Sequence, residues 1–246
     1  MNIVVTGGSR GIGRAIVEEA LTQGHSVAFT YRERADAALA VCEAAETRRP
    51  SQLCRSYQLD VRDSRQVELV SDRMLDDFQD FDAVVLNAGI NRTGVAVNMT
   101  DGDWTEVIET NLSGSFYVAR HFLTHFLTKR RGRLVFISSV AEAGVSGQAS
   151  YCASKAGLLG LSAALAKEYG PRGITSNCVV AGFFDTDLTR EGMSDEIRDF
   201  WLKYCPARRM GRLEEVARVA LFLASDAASF VNGAALPVSG GLGWGP

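Results

Sequence analysis

The run Met1-Asn2-Ile3-Val4-Val5-Thr6 passes straight into Gly7-Gly8-Ser9-Arg10-Gly11-Ile12-Gly13, and an apolar helical pattern through Ile12, Ala15, Ile16 and Ala20 follows at once. A β-branched strand, a glycine turn and a helix start joined without a spacer leave few folds open; this is how a nucleotide-binding βαβ unit begins. Glycine adopts backbone angles closed to other residues and lets a ligand come close to the chain. The free N–H groups and positive dipole end of the new helix suit a pyrophosphate. A second glycine series, Gly241-x-Gly243-x-Gly245, has no helix after it and carries no such implication. Nucleotide binding is therefore expected at Gly7, Ser9, Arg10, Gly11, Ile12 and Gly13.

The rest of the chain keeps the same rhythm. Apolar, β-rich runs occur at Ile3–Val5, Ser26–Thr30, Arg55–Leu59, Ala83–Leu86, Leu134–Ser138, Thr175–Val180 and Ala235–Val238. Amphipathic or alanine-rich stretches lie between them at 12–23, 34–48, 64–78, 103–128, 151–169 and 213–225, with Asp63 and Asp101 placed to cap two of these helices. Such alternation predicts right-handed crossovers and a doubly wound α/β Rossmann fold: a seven-stranded parallel sheet with helices on both faces. Its ligand is expected outside the carboxyl ends of the strands. The segment 183–212, with Gly192 and Pro206, breaks the rhythm and reads as a substrate lid within a single domain spanning 1–246.

Composition closes off other classes. A chain of 246 residues buries about three quarters of its unfolded surface. No apolar run approaches the ~20 residues that span a bilayer. A net charge of −3 argues against general nucleic-acid affinity. Met1 leads directly into the first strand, so a cytoplasmic protein without a leader peptide is expected. The five cysteines are scattered, with no C-x-x-C, and read as reduced thiols. His121 and His125 share a helical face but lack a third ligand, so no metal site is expected.

Polar or glycine-rich turns follow five of the strands: Gly7–Gly13, Asp60-Val61, Asn87-Ala88-Gly89, Ser138-Ser139 and Ala181-Gly182-Phe183. Tyr151 and Lys155 stand four apart, on one face of the helix that follows the fifth strand. A free phenol ionises near pH ~10, and a cation a few Å away favours the phenolate and draws that value toward neutrality. A Tyr-x-x-x-Lys arises by chance about half a time in a chain of this length; its weight here comes from the glycine turn at the N-terminus. A serine hydroxyl at the end of the neighbouring strand is placed to hold a carbonyl oxygen that the tyrosine protonates. Asn111 falls in mid-helix, where an amide side chain is mildly unfavourable.

Together these residues resemble the short-chain dehydrogenase/reductase family over the full length of the chain. The motifs that carry the resemblance are Thr6-Gly7-Gly8-Ser9-Arg10-Gly11-Ile12-Gly13, Asp60-Val61, Asn87-Ala88-Gly89, Asn111, Ser139, Tyr151-x-x-x-Lys155 and Asn177-x-x-x-x-Gly182. Gly147-Gln148-Ala149-Ser150-Tyr151, Arg172-Gly173-Ile174-Thr175, Pro206-Ala207-Arg208-Arg209-Met210-Gly211 and Leu223-Ala224-Ser225-Asp226 are most similar to the 3-oxoacyl-[acyl-carrier-protein] reductases. The resemblance implies that Ser139 orients the substrate carbonyl and Tyr151 donates the proton. It implies that Lys155 lowers the tyrosine pKa and holds the nicotinamide ribose, and that Asn111 positions a relay water. Spacing alone would point to Ser138 in place of Ser139, whereas the strand register favours Ser139. Ala181 stands where the family usually has proline, which loosens the expected nicotinamide wall.

Strand two ends Phe29-Thr30-Tyr31-Arg32 with no acid before Glu33, so a ribose 2′-hydroxyl has no carboxylate partner there. Arg10 and Arg32 instead suit a 2′-phosphate, which favours NADPH. The resemblance adds Tyr31, Gly182, Phe184 and Thr186 to the cofactor site, with the homotetramer and an acyl carrier protein as partners. Within the basic run Lys129-Arg130-Arg131 and Arg133, and beside Arg172, the resemblance makes Arg130 and Arg172 the carrier contacts. The expected activity is NADPH-dependent reduction of a β-ketoacyl thioester in fatty-acid or polyketide-type biosynthesis. The alternatives are a short-chain oxidoreductase for a free alcohol, sugar or steroid, and a non-catalytic nucleotide-binding subunit.

Overall fold

A computed structural model describes residues 1–48, 52–191 and 195–243, which leaves Gly192 and Gly245 outside the described residues. The chain runs β1 (Asn2–Val5), α1 (Gly11–Thr22), β2 (Ser26–Tyr31), α2 (Ala35–Arg48), β3 (Cys54–Gln58), α3 (Ser64–Phe78) and β4 (Ala83–Leu86). It continues through α4 (Asp101–Ile108), α5 (Gly114–Lys129), β5 (Gly132–Ser139), α6 (Ala149–Tyr169) and β6 (Ile174–Ala181). Then come α7 (Asp187–Glu191), α8 (Asp195–Tyr204), α9 (Leu213–Ala224) and β7 (Ala235–Val238).

The strands form one parallel sheet in the order β3-β2-β1-β4-β5-β6-β7, the expected doubly wound arrangement. Residues alternate between the sheet's two faces, as the pleat requires. Ile3 and Val5 of β1 pack with Ile16, Phe29, Val216 and Leu221 under α1 and α9. Val4 between them packs with Phe81, Phe122, Phe136 and Leu158 under α3, α5 and α6. Strand order reverses between β1 and β4, so their turns diverge and open a crevice at the carboxyl edge.

Two local expectations are corrected. The stretch 103–128 is not one helix: α4 and α5 are joined by a π-helical turn, Glu109–Ser113. Thr100, not Asp101, caps α4, its hydroxyl accepting from the Asp103 N–H; Asp101 lies in the first turn. Asp63 caps α3 as expected, accepting from the N–H groups of Arg65 and Gln66. None of the described helices is long and apolar enough to cross a membrane.

Candidate active site

A cavity of about 810 Å³ lies along the carboxyl edge of the sheet and reaches from the turn after β1 to Ser139, Tyr151 and Lys155. At one end, Gly7 and Gly11 take φ of +69° and +55°, the left-handed region that favours glycine. The turn is fastened from both neighbouring strands. Gly7 N–H donates to the Thr30 hydroxyl (3.1 Å), and the Asn87 amide donates to the carbonyls of Thr6 (3.0 Å) and Gly7 (3.1 Å). Arg10, the cap residue of α1, makes no side-chain cap bond, so the first turn of the helix presents its N–H groups at Gly11 and Ile12 to the cavity. These groups fit the pyrophosphate of a dinucleotide. Gly13 does not line the cavity as expected. A Cβ there would lie 2.1 Å from the Gly7 carbonyl oxygen, so this glycine lets α1 pack beneath the turn.

Tyr31, Arg32, Asp60 and Val61 line the next stretch. Neither arginine expected to meet a phosphate is free of carboxylates. Arg32 is bonded to Glu33 through Nε (2.9 Å) and lies 3.7 Å from Glu106, while Arg10 lies 3.9 Å from Asp187. Both guanidiniums are partly exposed, so a dianionic phosphate competes only with solvent-screened pairs. Asp60 is gripped by Arg62 Nε at 2.9 Å, and that hydrogen bond holds its carboxyl below the usual range. Arg62 and Glu106 escaped the sequence reading. Glu106 draws Arg92 (2.7 Å), Arg62 (3.6 Å) and Arg32 (3.7 Å) together from three turns, a convergence that has no local signature. Thr110 was missed too: its hydroxyl is buried in the cavity wall without a partner.

At the far end, Tyr151 and Lys155 project from α6 toward the end of β5, as their spacing predicts. Ser139 accepts from Ala141 N–H (3.2 Å), and its hydroxyl lies on the Tyr151 side, where it favours the phenolate. Ser138 is turned away: its buried hydroxyl donates to the Lys155 carbonyl (2.9 Å) and to Glu142 (3.2 Å). Ser139 is therefore the serine that faces the tyrosine.

The electrostatics differ from the expectation. Burial pushes the Tyr151 phenol up to about 12, although the Ser139 hydroxyl opposes the rise. Lys155 lies over the ring, 5.5 Å from its centroid, with Nζ donating to the Ile137 carbonyl at 2.8 Å, and burial lowers its pKa to about 8. The ammonium is thus directed at a backbone carbonyl instead of the phenolic oxygen, and desolvation dominates both groups.

Asn111 falls within the helical run, as expected. It sits in the π-helical turn, wholly buried behind the cavity wall. Its Oδ1 accepts from Ile90 N–H (2.9 Å), and its Nδ2 donates to the Ile90 carbonyl (3.0 Å) and the Ser154 hydroxyl (3.0 Å). The side chain ties the turn after β4 to α6, one residue from Lys155.

Gly89 and Ala88 line the cavity, and so do Gly182, Phe184 and Thr186. A Cβ at Gly182 would lie 2.5 Å from the Ser239 Cα, so β6 and the turn after β7 meet there only through glycine. Ala181, where the family usually has proline, ends β6 between Ser139 and Val238 and lines the same stretch of the cavity. Phe183 and Trp201 both line the cavity, their rings tilted by 34° with centroids 5.3 Å apart.

Arg130 and Arg172 lie away from this cavity, at the amino edge of the sheet before β5 and β6. Both are exposed, and Arg130 donates to the Pro171 carbonyl (3.3 Å). Their basic neighbours are spent on acids: Lys129 bonds Asp80, and Arg131 and Arg133 each reach Asp226 at 3.0 Å. His121 and His125 pair with Asp72 (3.1 Å) and Asp80 (2.8 Å).

Comparison with known proteins agrees with this geometry. A family model described as enoyl-(acyl carrier protein) reductase matches residues 7–243. The chain is 40% identical over 240 residues to the 3-oxoacyl-[acyl-carrier-protein] reductase FabG of Escherichia coli (strain K12), covering 97% of this chain and 96% of that one. It is 37% identical over 241 residues, with the same coverage of both, to the protein of that name from Chlamydia trachomatis serovar D. Among solved structures, levodione reductase superposes with a TM-score of 0.94 at 28% identity, covering 98% of this chain and 96% of that one.

Proposed function

The chain belongs to the short-chain dehydrogenase/reductase family, and we propose that it reduces the 3-oxoacyl group of an acyl-carrier-protein thioester to the β-hydroxyacyl form with NADPH. The observation that carries this reading is the pairing of Ser139 with Tyr151 over Lys155, in a chain 40% identical end to end to a reductase of that name.

NADPH, when bound, would supply the hydride. Gly7, Ser9, Gly11 and Ile12 would hold its pyrophosphate, Arg10 and Arg32 its 2′-phosphate, and Tyr31, Asp60, Val61 and Asn87–Gly89 its adenosine side. Gly182, Phe184 and Thr186 would wall the nicotinamide, and Lys155 would hold the adjoining ribose. The Ser139 and Tyr151 hydroxyls both donate to the substrate carbonyl oxygen, and so act where negative charge develops. As that oxygen becomes an alkoxide, Tyr151 gives it the phenolic proton. A phenol held at about 12 is fully protonated at neutral pH yet far more acidic than an alcohol, so the transfer runs toward reduction. Asn111 acts at one remove, fixing Ile90 and Ser154 beside the reacting groups. Two hydroxyls meeting one oxygen suit a carbonyl better than a carbon–carbon double bond, which favours the 3-oxoacyl substrate over the enoyl one.

The described residues of the segment 183–212 serve as the lid, with Trp201 set against Phe183. The aromatic pair also suits a free ketone, sugar or steroid, the second reading. We place the enzyme in the cytoplasm as a homotetramer. Phe116 and Leu127 on α5, Phe230, and Leu236 on the edge strand β7 are exposed apolar groups that neighbouring subunits would cover. Arg130 and Arg172, remote from their own cavity, face a carrier protein docked at a neighbouring subunit's entrance. The function is tested with Tyr151→Phe. Reduction of a β-ketoacyl thioester should fall by about 10²–10⁴ while NADPH affinity stays within tenfold; a variant that keeps more than about a tenth of wild-type kcat overturns the assignment.

A further inference from the structure

Helix α2 and the edge strand β3 bring two cysteines together that the proposed chemistry does not use. Cys42 lies in α2 and Cys54 opens β3, opposite Val27 of β2. Their sulfurs are 3.9 Å apart, the Cys54 thiol donating toward Cys42, and both residues are partly exposed. The other thiols point at backbone: Cys152 at Val145, Cys178 at Leu158, and Cys205 at Arg209, Ser239 and Gly240. We propose that Cys42 and Cys54 are a site of reversible disulfide formation by thiol exchange with a low-molecular-weight disulfide.

A disulfide bond of about 2.05 Å requires the two sulfurs to close by less than 2 Å from their 3.9 Å separation, a movement within reach of side-chain rotation. Reactivity is divided between them. Hydrogen bonds from Cys54 and from Ser56 draw the Cys42 thiol down to about 7, so much of it is thiolate at neutral pH. Cys54, which gives its hydrogen to Cys42 and is partly buried, is held up as a thiol. With oxidised glutathione as the oxidant, the Cys42 thiolate attacks one glutathione sulfur. A Cys42–glutathione bond forms, the glutathione S–S bond breaks, and the electron pair leaves on a glutathione thiolate. That thiolate takes the Cys54 proton. The Cys54 thiolate attacks Cys42 Sγ, closing the protein disulfide and expelling the second glutathione as thiolate. Two protein sulfurs are oxidised and one glutathione disulfide is reduced. The bond would fasten α2 to the sheet edge directly after Arg32, Glu33 and Arg34, three residues that line the cavity.

The test incubates the full-length protein with oxidised glutathione at pH 7.5, blocks remaining thiols with iodoacetamide, and maps a non-reducing digest by mass spectrometry. The expected product is a pair of peptides joined through Cys42 and Cys54, released by dithiothreitol. Cys54→Ser should instead retain glutathione on Cys42, because the resolving thiol is gone. Recovery of both cysteines in alkylated form from the wild type, or glutathione accumulating on wild-type Cys42 without the cross-link, overturns the proposal.

Discussion

Replacing Asn111 with alanine separates two roles that one side chain can play. If it only orients a relay water, its loss slows proton transfer and leaves the fold intact. The structure gives it three hydrogen bonds, to both backbone groups of Ile90 and to Ser154, all from a fully buried position. Each lost bond costs about 1 kcal/mol net, and leaving a buried partner unsatisfied costs more. Ile90 borders the cavity, where water reaches it, so the lower figure applies and the sum is about 3 kcal/mol. In a chain of this size that lowers Tm by about 6–12 °C. Ser154 also donates to the Tyr151 carbonyl (2.7 Å), so the loosened contact reaches the catalytic turn of α6 and kcat should fall at least tenfold. Differential scanning calorimetry and initial rates on one preparation decide the matter. A Tm within about 1 °C of wild type, with kcat lost, would refute the structural role and leave only the water.

Two further outcomes follow from the site and the surface. In the free enzyme burial holds Lys155 near 8, so kcat/KM for reduction should be level below pH 8 and fall above it as the ammonium is lost; Tyr151, near 12, does not titrate there. With its folded pKa below the ordinary lysine value of 10.5, the group's contribution to stability is present above 10.5 and lost as pH falls through 8; a rate profile that stays level to pH 9.5 contradicts the assignment. Arg130→Glu/Arg172→Glu should cut reduction of a carrier-bound β-ketoacyl group at least tenfold while a small β-ketoacyl thioester reacts nearly as before. Equal loss on both substrates, or none on either, removes the carrier dock.

Much of the fold is visible in the sequence because its inner strands are buried on both faces, and such strands appear as near-continuous apolar runs rich in β-branched residues. Ile3–Val5 and Ala83–Leu86 are of this kind, and strand–helix alternation then fixes the topology. The break between α4 and α5 is invisible because a π-helical turn differs from its neighbours by one hydrogen-bond step and has no propensity of its own. Thr100 and Asp101 are both good caps, and which one serves depends on the path of the preceding loop. At the site, glycines and the Tyr151–Lys155 spacing are local patterns and were legible. The choice between Ser138 and Ser139 turns on which hydroxyl faces the Tyr151 phenol and which is spent on the Lys155 carbonyl. The gathering of Arg32, Arg62 and Arg92 around Glu106 depends on contacts between distant segments. Desolvation of Lys155 and Tyr151 is likewise a property of the packed structure, which is why the spacing suggested a depressed phenol and burial raised it.

The central claim concerns the substrate, and the most direct measurement is NADPH consumption followed at 340 nm, the nicotinamide absorbance, against a panel of acceptors. The panel holds acetoacetyl and longer β-ketoacyl thioesters, an enoyl thioester, simple ketones, a sugar and a steroid. β-Ketoacyl thioesters should give the highest kcat/KM, at least a hundredfold above the others, with NADH at a tenth of the NADPH value or less. A free ketone, sugar or steroid reduced as efficiently as the thioesters would contradict the account, and so would turnover confined to the enoyl thioester.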